Sequence, residues 1–368
     1  MRPVVIAAGG TGGHFFPAEA LAAELVRRGQ RVALMTDARS GGLTSQVFEG
    51  RERFVLSGSG IAGRGVMRAV KSVAALAAGT LQARSILARL RPAAIVGFGG
   101  YPSVAPVLAA RMLSPRPPII LHEQNGVLGR ANRWLASRAD LLALSLPGTT
   151  RVPAGIRTEL TGNPVRPAIA ALAASPYTAP SDRIRLLILG GSLGARVFSD
   201  VVPPALALLP AELRARLAVT QQCRPEDLDR VRAAYAQSGI AADLAPFFAD
   251  VAALVRDAHL VIARAGASTV AELATIGRPA ILVPLPGAID DHQSANAAAL
   301  STTGGAWIMK QAEATPAALA HRLATLLADP PALATAAAAV ATAGRAHAAA
   351  ALADLVETVT TVSQESRA

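Results

Sequence analysis

Short, mostly apolar runs, half of them leading into glycine or proline, alternate along this chain with longer stretches of helical period. Residues 3–8, 31–35, 94–98, 119–121, 141–144, 185–189, 261–263 and 280–283 read as strands, because apolar side chains occupy both parities of each run. Strands of that kind are covered on both faces, as in a parallel sheet. The first run opens on Gly9-Gly-Thr-Gly-Gly13. A segment from Pro17 to Gly29 follows, with apolar positions at helical spacing and a glycine stop, and then the next strand, which makes a βαβ unit. Residues 185–189 run into Gly190-Gly-Ser-Leu-Gly194 and repeat the device. The pattern predicts an α/β protein with two doubly wound parallel sheets. Between the two halves, Gly162-Asn-Pro-Val-Arg-Pro167 and residues 175–181 are rich in proline and turn formers, so the domain boundary is expected there. We place an N-terminal domain over 1–163, rejoined by a C-terminal helix at about 346–368, and a second domain over 164–345. The alanine-rich stretch 331–355 is helical by propensity.

Length and composition fit this picture. The 368 residues are enough for about two domains, and 52% hydrophobic with only 4% aromatic content is the composition of helices packed on buried strands. Mean hydropathy is +0.37, yet the best spanning candidate, residues 66–83, is interrupted by Arg68 and Lys71. The N-terminal run reads as a first strand, not as a signal sequence. Cys223 is the single cysteine, which excludes an internal disulfide and a cysteine-cluster metal site and fits a reducing compartment.

Charge adds a polarity. The net charge is +11, but residues 1–165 carry +12 and the remainder −1. A basic half faces something anionic, nucleic acid or an acidic membrane surface, unless it reflects a coding bias toward arginine in a chain with only two lysines, Lys71 and Lys310. On a helix over 66–81, Val66, Val70, Val73, Ala77 and Leu81 fall on one side, with Arg68, Lys71 and Gln82 roughly opposite. Packing of that stripe on its own sheet is the usual explanation. Met67 and Leu76 widen the apolar area, and Arg51, Arg53 and Arg64 add charge, which keeps an interfacial membrane patch open.

Neither glycine loop has the spacing of the dinucleotide fingerprint or of the Gly-Lys-Ser/Thr phosphate loop, which disfavours NAD and ATP. Both still offer unobstructed backbone N–H groups at a helix N-terminus, where an oxyanion is favoured. His14, closing the first loop at the carboxyl end of a strand, is placed to take a proton from a sugar hydroxyl, or else to cap the loop by hydrogen bonding. Arg264-Ala-Gly-Ala-Ser-Thr-Val-Ala-Glu272 again leads from strand to helix. Sequence alone favours a capping box for Thr269 and Glu272, whereas in a nucleotide site Glu272 would accept from both ribose hydroxyls. Asp227-Leu-Asp229 has the acid-x-acid pattern of metal-dependent sugar-nucleotide enzymes, but its neighbours Arg224, Arg230 and Arg232 mark a charged helix start. Asp290-Asp291-His292 is a better metal candidate by residue type, and reads as a solvated loop.

Taken together, Gly-Gly-Thr-Gly-Gly-His14-x-x-Pro17, Gly97-Phe-Gly-Gly-Tyr-Pro-Ser103, Leu121-His-Glu-Gln-Asn125, Gly162-Asn-Pro-Val-Arg166, Gly190-Gly-Ser192 and Arg264-Ala-Gly-Ala-Ser-Thr-x-x-Glu272 resemble, in order and spacing, the MurG family of peptidoglycan N-acetylglucosaminyltransferases. The resemblance runs from about residue 6 to Asn296. It implies a GT-B fold, two Rossmann-like doubly wound domains facing each other across a cleft. It also implies inverting transfer of GlcNAc from UDP-GlcNAc to the C4 hydroxyl of MurNAc in undecaprenyl-pyrophosphoryl-MurNAc-pentapeptide (lipid I), giving lipid II. By the same resemblance His14 is the base. Ser192 meets the pyrophosphate, Phe248 presents backbone to the uracil, and Ala267, Ser268, Thr269, Val270 and Glu272 hold phosphate and ribose. Gln293 touches the sugar, and Thr11, Gly12, Gly13, Asn125 and Arg166 match the remaining donor and cleft positions. The implied partners are the UDP-GlcNAc donor, the polyprenyl-pyrophosphate-linked acceptor and an anionic membrane surface, with no cofactor, no metal and no nucleic acid. The implied location is peripheral, on the cytoplasmic face of the bacterial inner membrane.

Two other readings compete. A non-hydrolysing UDP-GlcNAc 2-epimerase would also bind the donor between two such domains, but would need several acid–base groups around the sugar and no acceptor. A nucleic-acid-binding protein would want aromatics interleaved with its basic residues, and the chain has only Trp134, Trp307 and three tyrosines among its polar aromatics.

Overall fold

The computed structural model describes residues 2–10, 12–38, 45–57, 66–173, 175–191 and 194–365. These form two compact units, residues 1–166 with 347–368, and residues 167–346.

In the first unit the chain runs β1 (Val4–Ala7), α1 (Gly12–Arg27), β2 (Val32–Asp37), β3 (Arg53–Leu56), α2 (Val66–Leu90), β4 (Ala94–Gly97), α3 (Val104–Arg111), β5 (Ile119–Glu123), α4 (Arg130–Leu135), β6 (Leu141–Leu144) and β7 (Thr158–Leu160). The second unit holds α5 (Pro167–Ala170), β8 (Ile184–Leu189), α6 (Arg196–Ala207), α7 (Ala211–Arg216), β9 (Leu217–Gln222), α8 (Leu228–Gln237), β10 (Ala241–Ala245), α9 (Val251–Asp257), β11 (Leu260–Ala263), α10 (Ala267–Ile276), β12 (Ala280–Leu282), α11 (His292–Ser301), β13 (Ala306–Ile308), α12 (Pro316–Leu327) and α13 (Pro330–Ala341). The chain then returns to the first unit as α14 (Ala348–Glu365).

Both sheets are parallel throughout, with strand orders β3-β2-β1-β4-β5-β6-β7 and β10-β9-β8-β11-β12-β13. In each, the order reverses at the strand that leads into a glycine loop, β1 or β8. That switch point is where ligands bind in open α/β sheets. The central strands β1, β2, β4, β11 and β12 are buried at every position. Helices cover both faces of the first sheet, which gives it two apolar cores, one beneath α1 and α14 and one beneath α2 and α3. Arg28 fastens α14 to α1 through Asp354 (2.6 Å) and Glu357 (2.8 Å).

Three local expectations are corrected. Helix α1 starts at Gly12, so His14 sits in its first turn rather than closing the loop before it. The side of α2 that carries Val73, Ala77 and Leu81 is turned to solvent, with Val73 67% and Leu81 60% exposed, so the expected core stripe is not the core stripe. Instead Gly79, Thr80, Ala83, Ile86 and Leu87 are buried, and Leu76 packs against that core. The cause is Gly79: a Cβ there would overlap the Ser57 carbonyl oxygen, so this face can approach the preceding loop closely and the Val73 face cannot. The alanine-rich stretch is broken between α13 and α14, and a Cβ at Gly344, within the break, would fall 2.6 Å from the Ala274 carbonyl oxygen of α10. No single helix among the described residues is long and apolar enough to cross a membrane.

Candidate functional site

In the first unit, the carboxyl ends of β1, β4, β5 and β7 bring their loops together around His14. Its Nδ1 lies 2.7 Å from the Gln124 amide oxygen. Arg166 stacks on Phe16 of α1, with its guanidinium carbon 5.4 Å from the ring centre. Gly100 lies against the other edge of the imidazole, since a Cβ there would sit 3.3 Å from Cδ2 and 3.4 Å from Nε2. Its backbone, at φ 65° and ψ 179°, is one that glycine alone adopts freely. Ser103 locks this loop by sharing its one hydroxyl proton between the Ala7 and Gly99 carbonyls, both at 2.9 Å.

The segment His122-Glu-Gln-Asn125 divides by strand alternation. Glu123, 2% exposed, accepts from the Asn125 and Gly129 backbone N–H groups and from the Asn125 and Asn132 side chains, at 2.9–3.1 Å. Four donors compensate a buried carboxylate and fix the loop that carries Asn125. His122 and Gln124 point the other way. The Gln124 amide nitrogen donates to the His122 carbonyl (3.0 Å) and meets its Nδ1 (2.9 Å), while His122 Nε2 reaches the Gly162 carbonyl (3.0 Å). Burial pushes His122 down to about 4, with the neighbouring His14 adding to the effect, so the ring is neutral around pH 7.

In the second unit the corresponding edge is built from four loops. A Cβ at Gly190 would fall 2.6 Å from the Gly194 carbonyl carbon, so only glycine permits this loop to fold back on itself. Gln222, at the end of β9, binds the loop to a second one: it accepts from Gly190 N–H (3.1 Å) and donates to the Gly191 (2.9 Å) and Pro246 (3.2 Å) carbonyls. Phe248 lies two residues beyond Pro246 and is half-buried.

Helix α10 corrects a further expectation. Its N-cap is Gly266, without a side-chain cap, and its first intrahelical bond runs from Val270 N–H to Gly266 C=O at 3.0 Å. Thr269 is therefore inside the first turn and forms no capping box, because the chain turns helical two residues before it, at Ala267. The N–H groups of Ala267, Ser268 and Thr269 have no intrahelical acceptor, the Ser268 hydroxyl is buried without a partner, and Glu272 follows in the second turn.

Gln293, in the first turn of α11, accepts at one oxygen from Ala265 N–H (3.2 Å) and Leu285 N–H (3.0 Å), bridging the ends of β11 and β12. With its oxygen occupied, the amide nitrogen is the half left to meet a ligand, as a donor. Arg264 is turned inward. It donates to the Val283, Pro284 and Gln311 oxygens at 2.6–3.2 Å and stacks on Phe198.

The acid-x-acid segment is structural. Asp227 is buried between Arg224 (2.9 Å) and Arg230 (3.0 Å), which hold its carboxyl below the usual range, and Asp229 is fully exposed beside Arg232. Asp291 accepts from Ser294 and His292 is bonded to the Ile289 carbonyl. Among the described residues no three His, Cys, Asp or Glu side chains gather as metal ligands.

The structure thus brings Gly12, Gly13, His14, Asn125 and Arg166 to one sheet edge, and Phe248, Ala267, Ser268, Thr269, Val270, Glu272 and Gln293 to the other. Thr11 and Ser192 lie outside the described residues. Sequence reasoning missed His122 and Gln124 as functional side chains, although it quoted the motif holding them, and it missed Gln222, whose one signal is a polar pair, Gln221-Gln222, ending a strand that the structure buries at both of those positions.

Comparison with known proteins places the chain in a family. Residues 4–143 match the glycosyltransferase family 28 N-terminal domain, and residues 185–354 match the C-terminal domain of the same family. A Granulibacter bethesdensis protein named UDP-N-acetylglucosamine–N-acetylmuramyl-(pentapeptide) pyrophosphoryl-undecaprenol N-acetylglucosamine transferase is 66% identical over 97% of this chain and 93% of its own length. The crystal structure of Acinetobacter baumannii MurG superposes with a TM-score of 0.79 at 31% identity, covering 97% of this chain and all of the other. A UDP-GlcNAc 2-epimerase from Neisseria meningitidis, bound to UDP-GlcNAc, has a TM-score of 0.65 at 12% identity over 97% of this chain and all of the other, a likeness of fold alone.

Proposed function

The chain belongs to glycosyltransferase family 28, and from that premise we propose that it moves GlcNAc from UDP-GlcNAc to the MurNAc C4 hydroxyl of undecaprenyl-pyrophosphoryl-MurNAc-pentapeptide. The observation that carries this reading is the 66% identity, across nearly the whole chain, to a transferase named for that reaction.

The geometry supports a division of labour. The second unit holds the donor: the glycine loop with Ser192 and the open first turn of α10 take the pyrophosphate, as helix N-termini do. The backbone at Phe248 meets the uracil, Glu272 the ribose and Gln293, as donor, a sugar oxygen. The first unit holds the acceptor. His14 takes the proton of the attacking hydroxyl on its ring nitrogen away from Gln124; the new bond forms between that oxygen and GlcNAc C1 as the bond from C1 to the UDP oxygen breaks, with inversion and release of UDP. Arg166 and the helix N-termini stabilise the charge that develops on UDP, so no metal is required by this scheme. The net charge of +12 on residues 1–165 and the outward apolar side of α2 support docking of the first unit on an anionic membrane surface, where the polyprenyl chain of the acceptor resides.

The test is incorporation of labelled sugar from UDP-GlcNAc in EDTA, with and without a short-chain lipid I analogue. Acceptor-dependent transfer is the expected result. Formation of UDP-ManNAc without acceptor would overturn the reading in favour of an epimerase.

A further inference from the structure

The hydrogen bonds behind His14 settle more than its position. Two backbone carbonyls, those of Gly162 and His122, are acceptors only, and they fix the direction of every bond between them. Because Gly162 C=O accepts from His122 Nε2 at 3.0 Å, that nitrogen carries the proton of the neutral ring and His122 Nδ1 is a lone pair. Because His122 C=O (3.0 Å) and Nδ1 (2.9 Å) both accept from Gln124, the amide nitrogen of Gln124 faces His122 and its oxygen faces His14. An oxygen 2.7 Å from His14 Nδ1 requires a proton on Nδ1. A neutral His14 then carries its lone pair on Nε2, the edge that lies against Gly100.

We propose that Gln124, itself oriented by His122, is a positioning residue that holds His14 in the Nδ1–H tautomer and so presents Nε2 as the base. The inference rests on the reading of His14 as base and adds how the base is set. An amide does this without charge: it accepts from Nδ1–H and leaves Nε2 as the one basic edge of the ring. His122 suits its part because its burial, complete to 0% exposure, keeps it neutral and its tautomer fixed. With Gln124 and His122 both buried, solvent does not compete for these bonds.

The experiment is nitrogen NMR of the full-length enzyme carrying ring-labelled histidine, of which there are six, with the His14 signals identified by their loss in His14→Ala. The expected spectrum shows opposite tautomers, a protonated Nδ1 with a bare Nε2 for His14 and the reverse for His122. A protonated Nε2 on neutral His14 would overturn the proposal without reference to activity. In parallel, Gln124→Met is expected to lower kcat by ~10²-fold, within the range of a general base, with KM for UDP-GlcNAc unchanged and mixed His14 tautomers. Gln124→Glu, which keeps an oxygen toward Nδ1, is expected to restore the tautomer and part of kcat. Full kcat in Gln124→Met alongside an inactive His14→Ala would overturn the positioning role. Full activity in His14→Ala would overturn His14 as base, leaving the tautomer to be read from the ring nitrogens alone.

Discussion

Gln222→Leu is the most informative single substitution in the second unit. The side chain is 8% exposed and makes three bonds, to Gly190 N–H, Gly191 C=O and Pro246 C=O. The residues at the two carbonyls are exposed and can turn to water, which limits the loss there to about 0.5–1.5 kcal/mol each, but Gly190 is buried and its N–H would be stranded at about 1–3 kcal/mol. The expected loss of stability is therefore about 2–6 kcal/mol. Part of it reappears in ligand binding, because the glycine loop and the Pro246–Phe248 segment, no longer tied to each other, would be ordered by the donor itself. Ordering at about 1.4–2.8 kcal/mol weakens UDP-GlcNAc by about 10- to 100-fold. Urea unfolding and isothermal titration with UDP-GlcNAc measure the two effects separately. Gln222→Glu, which keeps the acceptor for Gly190 and loses both donors, should fall between. Unchanged donor affinity in a Gln222→Leu protein that has lost stability would refute the coupling of the two loops and leave Gln222 a residue of the fold only.

Gly100→Ala should lower kcat by at least tenfold with donor affinity intact, as its Cβ crowds the Nε2 edge of His14 and the backbone there disfavours any side chain by about 1–3 kcal/mol; steady-state kinetics with normal kcat would contradict it. His122 ionises at about 4 in the folded protein against 6.5 for an ordinary histidine, so the unfolded chain binds the extra proton first and stability falls as pH drops from 6.5 toward 4, by up to about 1.4 kcal/mol per pH unit. Urea unfolding at pH 7 and pH 5 should show that slope flattened in His122→Gln. Val73→Asp with Leu81→Asp, both on the outward side of α2, should weaken binding to anionic vesicles with little change in unfolding free energy; unfolding of the variant would place that side in the core after all.

The parts of the fold that could be read in advance are those where burial on both faces leaves one pattern, as in β1, β4, β8 and β11. The strands that escaped are of two kinds. β3, β7, β10 and β13 are sheet edges, where one side of the ladder is unpaired and polar or small residues suffice. β9 is central but ends in Gln221-Gln222, polar because Gln221 accepts from the Tyr235 hydroxyl and Gln222 ties down a loop. The direction of α2 was illegible for another reason: helical projection separates its sides but does not say which one meets the sheet, and the decision rests on the contact of Gly79 with Ser57. Thr269 and Glu272 have capping-box spacing by coincidence, because Gly266 takes the cap. The candidate base was legible as a histidine after a glycine loop, whereas its supporting Gln124 is 110 residues away in sequence and acquires a role only when β1 and β5 are laid in one sheet.

The account turns on His14 acting on the acceptor while the second unit holds the donor. Its most direct test is single-turnover transfer of GlcNAc to a lipid I analogue by His14→Ala, with UDP-GlcNAc affinity measured on the same protein. We predict a loss of at least ~10²-fold in transfer with donor affinity within a factor of two of the parent. Transfer at the parent rate would contradict the account, and so would a loss of transfer explained wholly by weaker donor binding.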